Sequence, residues 1–260
     1  MYEITTFYKF LDLSGSDLQA LKANILDQMV VLSIRGTIIL APEGINATVA
    51  SSPEQMRAFI KSLDAILGIK LEARSTFSKV LPFKAAKVKV RQEIVTFGHN
   101  VDFSAASGTH ISPEEWNDII KKDGVVLIDT RNDYEFKIGT FEGAVNPATE
   151  RFSDLPKFVE KNLDPDRHKN VAMFCTGGVR CEKFAPYLIA KGFENVYQLE
   201  GGILNYLASV PKEEQLWQGE CFVFDERISV DADLQPGSST DHSFYKGKSK
   251  VSDEKPNGGQ

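Results

Sequence analysis

Two runs of four apolar residues constrain this chain more than anything else in it. They are Val125, Val126, Leu127, Ile128 and Val171, Ala172, Met173, Phe174. Each is too short for a helix and shows no apolar–polar alternation, so neither face of such a strand can meet water. Strands buried on both faces belong to parallel sheets, whose crossover connections lay helices over the two sides. Helical patterns stand where that arrangement needs them: Trp116, Ile119 and Ile120 before the first run, Phe184, Tyr187 and Leu188 after the second. A short strand at Val196 and Tyr197 continues the alternation. Residues 112–216 therefore read as an α/β domain with a parallel sheet.

The first hundred residues follow another pattern. Three serine capping boxes predict helix starts at Ser16, Ser52 and Ser112, the last two with proline in the first helical position. Leu18, Leu21, Ile25, Leu26 and Met29 form one apolar stripe, and Met56, Phe59, Ile60, Leu63 and Leu67 form another. Strand-like runs fall at 6–10, 37–40, 45–49, 70–74 and 87–96, with Pro42, Glu43 and Gly44 as a hairpin turn. The order strand–helix–strand–strand–helix–strand predicts a ferredoxin-like (acylphosphatase-like) α+β domain over 1–97. Residues 98–111 read as a linker, 217–230 as a C-terminal strand segment, and the Ser-, Asp-, Lys- and Gly-rich stretch 231–260 as a disordered tail.

Charge and cysteine content narrow the setting. No apolar run is long enough to span a bilayer, and Met1, Tyr2, Glu3, Ile4 do not begin a secretory signal. Three cysteines do not make a disulfide framework, which points to the reducing cytoplasm. The net charge of −6 disfavours a generic nucleic-acid binder, but the charge is uneven. Residues 70–91 carry Lys70, Arg74, Lys79, Lys84, Lys87, Lys89 and Arg91 against the single acid Glu72, a window of +6 in a chain otherwise at −12. Two readings stay open for it: a solvated strand face, or a seat for a phosphate backbone, with Lys79, Lys84, Lys87, Lys89 and Arg91 as the contacts.

The chemistry concentrates at Cys175, which directly follows the second buried strand. In open α/β sheets ligands bind beyond the carboxyl ends of strands. Thr176, Gly177, Gly178, Val179 and Arg180 follow, and then a helix is expected. Two adjacent glycines let the backbone curl so that amides point inward as an anion-binding nest, and the helix dipole adds to it. Such a cradle lowers the thiol pKa from its reference near 8.5 and stabilises a thiolate or persulfide. Arg180 either completes that ring or braces it.

These residues resemble a known family. Leu127 to Glu135 looks like the rhodanese strand with its Asp-x-Arg, and 139–146 resembles the next rhodanese motif, with Thr140 in place of the usual histidine. Cys175 to Arg180 is similar to the rhodanese active-site loop, and Leu199, Glu200, Gly201, Gly202 to the closing segment. Related dual-specificity phosphatases place five residues between Cys and Arg; here four intervene, as in the sulfur-handling branch. Together with 39–46, 175–183 and 217–227, the chain resembles the bacterial rhodanese-containing tRNA uridine hydroxylases over residues 1 to about 230. The resemblance implies oxygen-dependent 5-hydroxylation of the wobble uridine (U34) of tRNA, with an essential Cys175 that passes through a persulfide. It implies no resident cofactor, tRNA as partner and a sulfur-donor protein as a candidate second partner. Many members end in a cysteine-rich tail suited to a metal; 241–248 here has no cysteine, so no zinc is expected.

Other residues divide between two roles. Cys181 is either a resolving thiol for Cys175 or a packing residue. Asp129, Arg131 and Glu135 are catalytic or, as the better reading, a polar framework supporting the loop. Cys221 reads as a buried small hydrophobe, and His99, His110, His168 and His242 show no ligand spacing. Two rivals to the hydroxylase stand: a sulfurtransferase passing sulfane sulfur from Cys175 to a partner, and a non-enzymatic adaptor. The intact loop argues against the second.

Overall fold

The computed structural model describes residues 1–103 and 107–239. In chain order its elements are β1 (Tyr2–Phe10), α1 (Leu18–Val31), β2 (Arg35–Ala41), β3 (Gly44–Ser51), α2 (Pro53–Leu67), β4 (Arg74–Ser78) and β5 (Ala86–Val90). Then follow β6 (Thr109–Ile111), α3 (Pro113–Ile120), β7 (Val125–Asp129), α4 (Asp133–Phe136), β8 (Gly139–Phe141) and α5 (Leu155–Asn162). The last are β9 (Asn170–Phe174), α6 (Val179–Ala190), β10 (Asn195–Leu199), α7 (Gly202–Ser209), β11 (Trp217–Gly219), β12 (Cys221–Phe222) and β13 (Ser229–Val230).

The N-terminal sheet runs β4-β1-β3-β2-β5, the ferredoxin-like order with one further strand, β5, parallel to β2 at the edge. Both helices pack on one face. Phe7, Ile38, Leu40, Ala47, Val49 and Val88 point into that core with Ile25, Met29, Phe59 and Leu63 from the helices. Lys87 and Lys89 are exposed on either side of buried Val88, so the alternation read from the sequence holds.

Three local expectations are corrected. Asp17, not Ser16, caps α1: its carboxylate accepts from Gln19 N at 2.9 Å and Ala20 N at 3.0 Å. Ser52 and Ser112 do cap their helices. The strand expected at 70–74 begins only at Arg74, because Leu71 is spent plugging the end of α2, its N–H on Asp64 Oδ1. The strand expected at 87–96 stops at Val90. Beyond it the chain turns, and Glu93 accepts from the Phe97 and Gly98 amides.

The second sheet, β6-β10-β9-β7, is parallel throughout. The apolar runs behave as two-sided strands: Val171 and Met173 face α5 and α6 with Leu155, Val159, Phe184 and Leu188. Ala172 and Phe174 face α3 and α7 with Trp116, Ile203 and Tyr206. At burial worth about 25 cal/mol per Å2 of apolar surface, this double covering is what holds the strands in place.

The stretch 98–111 is more than a connector, since Thr109–Ile111 is a strand of this sheet. Residues 231–239 are also ordered: Asp231 N donates to Gln235 O, and Glu220 takes the amides of Ser238 and Ser239. The remainder of the tail, 240–260, lies outside the described residues.

Candidate active site

Cys175 lies at the carboxyl end of β9 with almost no exposure. Its Sγ accepts from Gly178 N at 3.1 Å. The chain reaches that geometry because Gly178 sits at φ +99°, where a side chain is strained. The helix α6 begins at Val179, so Arg180 and Cys181 are in its first turn, where their amides favour a negative charge on the sulfur. Burial alone would push the thiol up. The Cys181 thiol, the Arg180 guanidinium and the Arg180 and Cys181 amides outweigh it and hold Cys175 well below the ordinary cysteine range. Cys181 is the mirror image: burial and the neighbouring Cys175 hold it protonated, with Thr130 Oγ1 3.7 Å from its sulfur.

The loop is fixed from behind. Ile203 N and Leu204 N, at the start of α7, donate to the carbonyls of Cys175 and Thr176 at 2.9 and 3.1 Å. Gly202 makes this approach possible, since a Cβ there would stand 2.4 Å from Cys175 O. Arg180 does not project into the anion cradle. It forms a two-pronged pair with Glu135, Nη1–Oε2 2.7 Å and Nη2–Oε1 2.8 Å, and reaches Thr176 Oγ1 at 3.4 Å. Of the two roles open to it, bracing is the one its side chain adopts.

Asp129 and Arg131 form a second, fully buried pair (Nε–Oδ1 2.9 Å, Nη2–Oδ2 2.6 Å) at the end of β7. Thr140, where the rhodanese pattern has histidine, donates to Asp129 Oδ2 at 3.0 Å. Arg131 also donates to Gly139 O and lies 5.1 Å from the Trp217 ring, which ties the C-terminal segment to this framework. Glu135 is thus tied to the loop through Arg180 and Thr176, whereas Asp129 and Arg131 tie β7 to β8 and to Trp217. Cys221 is fully buried among apolar residues, and burial raises its thiol to about 12.

Residues that the sequence did not single out come from across the molecule. Tyr8, on β1, donates to Glu182 Oε1 at 3.0 Å, and His110 Nε2 lies 2.8 Å from the same oxygen. A Cβ built on Gly178 would be 2.8 Å from the Tyr8 hydroxyl, and one on Gly177 3.6 Å from Thr6 Cγ2. The N-terminal sheet therefore sits directly over the cysteine loop. Lys183, buried, anchors this contact by pairing with Glu43 at 2.7 Å and with Glu93, and by donating to Val95 O at 2.9 Å. Phe97 follows into the second core, 4.8 Å from Phe152 and 5.5 Å from Tyr187.

Residues 2–94 match the UPF0176 acylphosphatase-like domain, and residues 112–209 the rhodanese-like domain. The tRNA uridine(34) hydroxylase of Synechocystis sp. is 47% identical over 249 residues, covering 94% of this chain and 88% of that protein. This chain belongs to the tRNA uridine(34) hydroxylase family. Among solved structures, it is similar to a rhodanese-like domain from Anabaena sp. (18% identity, 42% of this chain, 78% of that one, TM-score 0.36). A rhodanese-related protein from Thermoplasma volcanium is also similar (24% identity, 40% of this chain, 95% of that one, TM-score 0.33).

In this member of the hydroxylase family the basic window is split by the fold. Lys87 and Lys89 lie on the sheet face that carries Thr6 and Tyr8: the cross-strand rows run Thr6–Thr48–Thr37–Lys87 and Tyr8–Asn46–Ile39–Lys89. Three strand spacings separate their ends, about 14 Å. Lys84 is instead paired with Glu226 at 2.8 Å, and Arg74 with Glu200 at 2.9 Å. Lys79 and Arg91 are exposed, the latter donating to its neighbour's carbonyl, Val90 O. Among the described residues no helix is long and apolar enough to cross a membrane, and no three His, Cys, Asp or Glu side chains gather as a metal site. Tyr8, His110 and Glu182 could not be found from periodicity, since the pairs are 72 and 174 residues apart: the fold of the second domain brings His110 to Glu182, and only the docking of the two sheets adds Tyr8.

Proposed function

We infer that this chain hydroxylates C5 of uridine 34 in tRNA, in the cytoplasm, with Cys175 carrying the reaction. The observation that supports this most is 47% identity to a tRNA uridine(34) hydroxylase across 94% of the chain. The built cradle around Cys175 Sγ is consistent with it. In this reading the Cys175 thiolate attacks the terminal sulfur of a donor protein's persulfide. A new S–S bond forms on Cys175, the donor leaves as its thiolate, and the persulfide's negative charge falls among the Gly178, Arg180 and Cys181 amides. Molecular oxygen is the co-substrate, and no resident cofactor is assigned. Cys181 serves as a hydrogen-bond donor to its neighbour rather than as a resolving thiol, because a thiol held protonated is a poor nucleophile. Lys87 and Lys89 supply phosphate contacts on the sheet face leading to the loop.

Nucleoside mass spectrometry of tRNA decides it. The gene should restore 5-hydroxyuridine to a strain lacking the activity, and Cys175→Ser should not. If wild type fails to restore it while Cys175 still accepts sulfane sulfur from a small donor, the sulfurtransferase reading replaces this one.

A further inference from the structure

The hydroxyl of Tyr8 is the polar atom that the N-terminal domain brings to the cysteine loop at Gly178, the residue whose amide holds Cys175 Sγ. Its direction is determined by its neighbours. The Tyr8 proton is given to Glu182 Oε1, and His110 holds that same oxygen from the other side. Glu182 is itself fixed in the first turn of α6, immediately after Cys181. A phenol whose hydrogen is committed in this way offers only its lone pairs to a further partner. Tyr8 also stays a phenol. Burial, then the charges of Glu182 and Cys175, push its ionisation far up, so it does not become a phenolate beside the thiolate.

We propose that Tyr8 is a positioning residue that reads the nucleobase placed over Cys175, accepting a hydrogen bond from a base N–H, with Glu182 and His110 fixing its hydroxyl. The chemistry fits a uracil. Its N3–H is a donor, whereas cytosine has a lone pair at that position, which would oppose the lone pairs of Tyr8 without a proton between them. Tyr8 is half-buried and His110 and Glu182 both retain exposure, so the group is reachable from the surface. His110 is on strand β6 of the rhodanese sheet, Glu182 is on α6 beside it, and Tyr8 comes from the other domain. This cluster of side chains is complete only when the domains are docked, and the Lys183–Glu43–Glu93 cluster provides that docking. This proposal rests on the hydroxylase reading above.

The test is Tyr8→Phe in the full chain, which removes one oxygen and keeps the ring over the loop. The variant and wild type are expressed at matched levels in the strain lacking 5-hydroxyuridine, and the modified nucleoside is quantified. Purified proteins are compared for thermal unfolding, tRNA affinity by filter binding and the pH midpoint of thiolate absorbance. The expected result is a loss of roughly two- to tenfold in 5-hydroxyuridine, as for one hydrogen bond to a bound substrate, with affinity, midpoint and unfolding unchanged. Glu182→Gln, which keeps an acceptor for Tyr8, should recover a large part of the activity, and Glu182→Ala should not. Wild-type modification by Tyr8→Phe overturns the proposal. So does a loss accompanied by a raised thiolate midpoint, which would make Tyr8 a support of the loop. If wild type itself leaves tRNA unmodified, the hydroxylase reading fails first, a result distinct from any produced by the variants.

Discussion

Arg180 and Glu135 meet as a two-pronged ion pair beneath the cysteine loop, one contact at 2.7 Å and the other at 2.8 Å, with both side chains buried. A side chain that looks from the sequence like an anion ligand is thus spent on holding the loop. Its charge still acts on Cys175 through space.

Removing half of that pair should be costly. Glu135→Gln leaves the Arg180 guanidinium buried without its counter-charge, and urea unfolding should show a loss of about 3–5 kcal/mol. The pH dependence has a defined sign. Burial raises the Glu135 carboxyl, but Arg180 outweighs it and the net shift is downward. The contribution is therefore present above the unfolded value, near 4.3, and is lost as pH falls through the lower folded value. A variant within about 1 kcal/mol of wild type would show that the pair does not hold the loop.

Thiolate absorbance should report Cys175 first. Cys181 and Cys221 are both pushed up, so the lowest transition belongs to Cys175 and should fall below the free-cysteine value near 8.5. Because the folded value is depressed, thiolate stabilisation is present above the unfolded value and disappears as pH drops through the folded one. Cys181→Ala removes a donor to the sulfur and should raise the midpoint; an unmoved midpoint would leave the amides and Arg180 as sufficient.

Gly178→Ala joins two faults, a side chain at φ +99° and a Cβ within 2.8 Å of the Tyr8 hydroxyl. A destabilisation of roughly 1–3 kcal/mol follows from the backbone alone. The Gly178 amide should also leave Sγ, raising the thiolate midpoint. A stable variant with an unchanged midpoint would mean that the loop has more slack than its contacts indicate.

The lysines should separate by position. Lys87→Glu with Lys89→Glu should weaken tRNA binding and reduce the magnitude of the log–log salt slope by about 2, one for each lost phosphate contact. Lys84→Glu should have less effect on binding, since that lysine is already paired with Glu226. Equal effects from all three would show a diffuse electrostatic attraction and no seat on the sheet face.

Local order was legible in the sequence wherever one segment suffices to specify it. The apolar runs at 125–128 and 171–174 can only be strands covered on both faces, and they are. Cys175 with Gly177 and Gly178 can curl into a nest by its own backbone, and the Gly178 amide does reach the sulfur. Even the errors were local: Asp17 took the cap read for Ser16, because both can accept from the same free amides. The partners of charged side chains were not legible. Whether Arg180 faces the anion or Glu135 depends on a helix 45 residues away, and whether Lys84 is free depends on Glu226. Tyr8 reads in the sequence as one more residue of the strand-like run 6–10. Only the docking of the first sheet on α6 sets its hydroxyl over Gly178, because that contact is made by packing between surfaces and leaves no period in either segment.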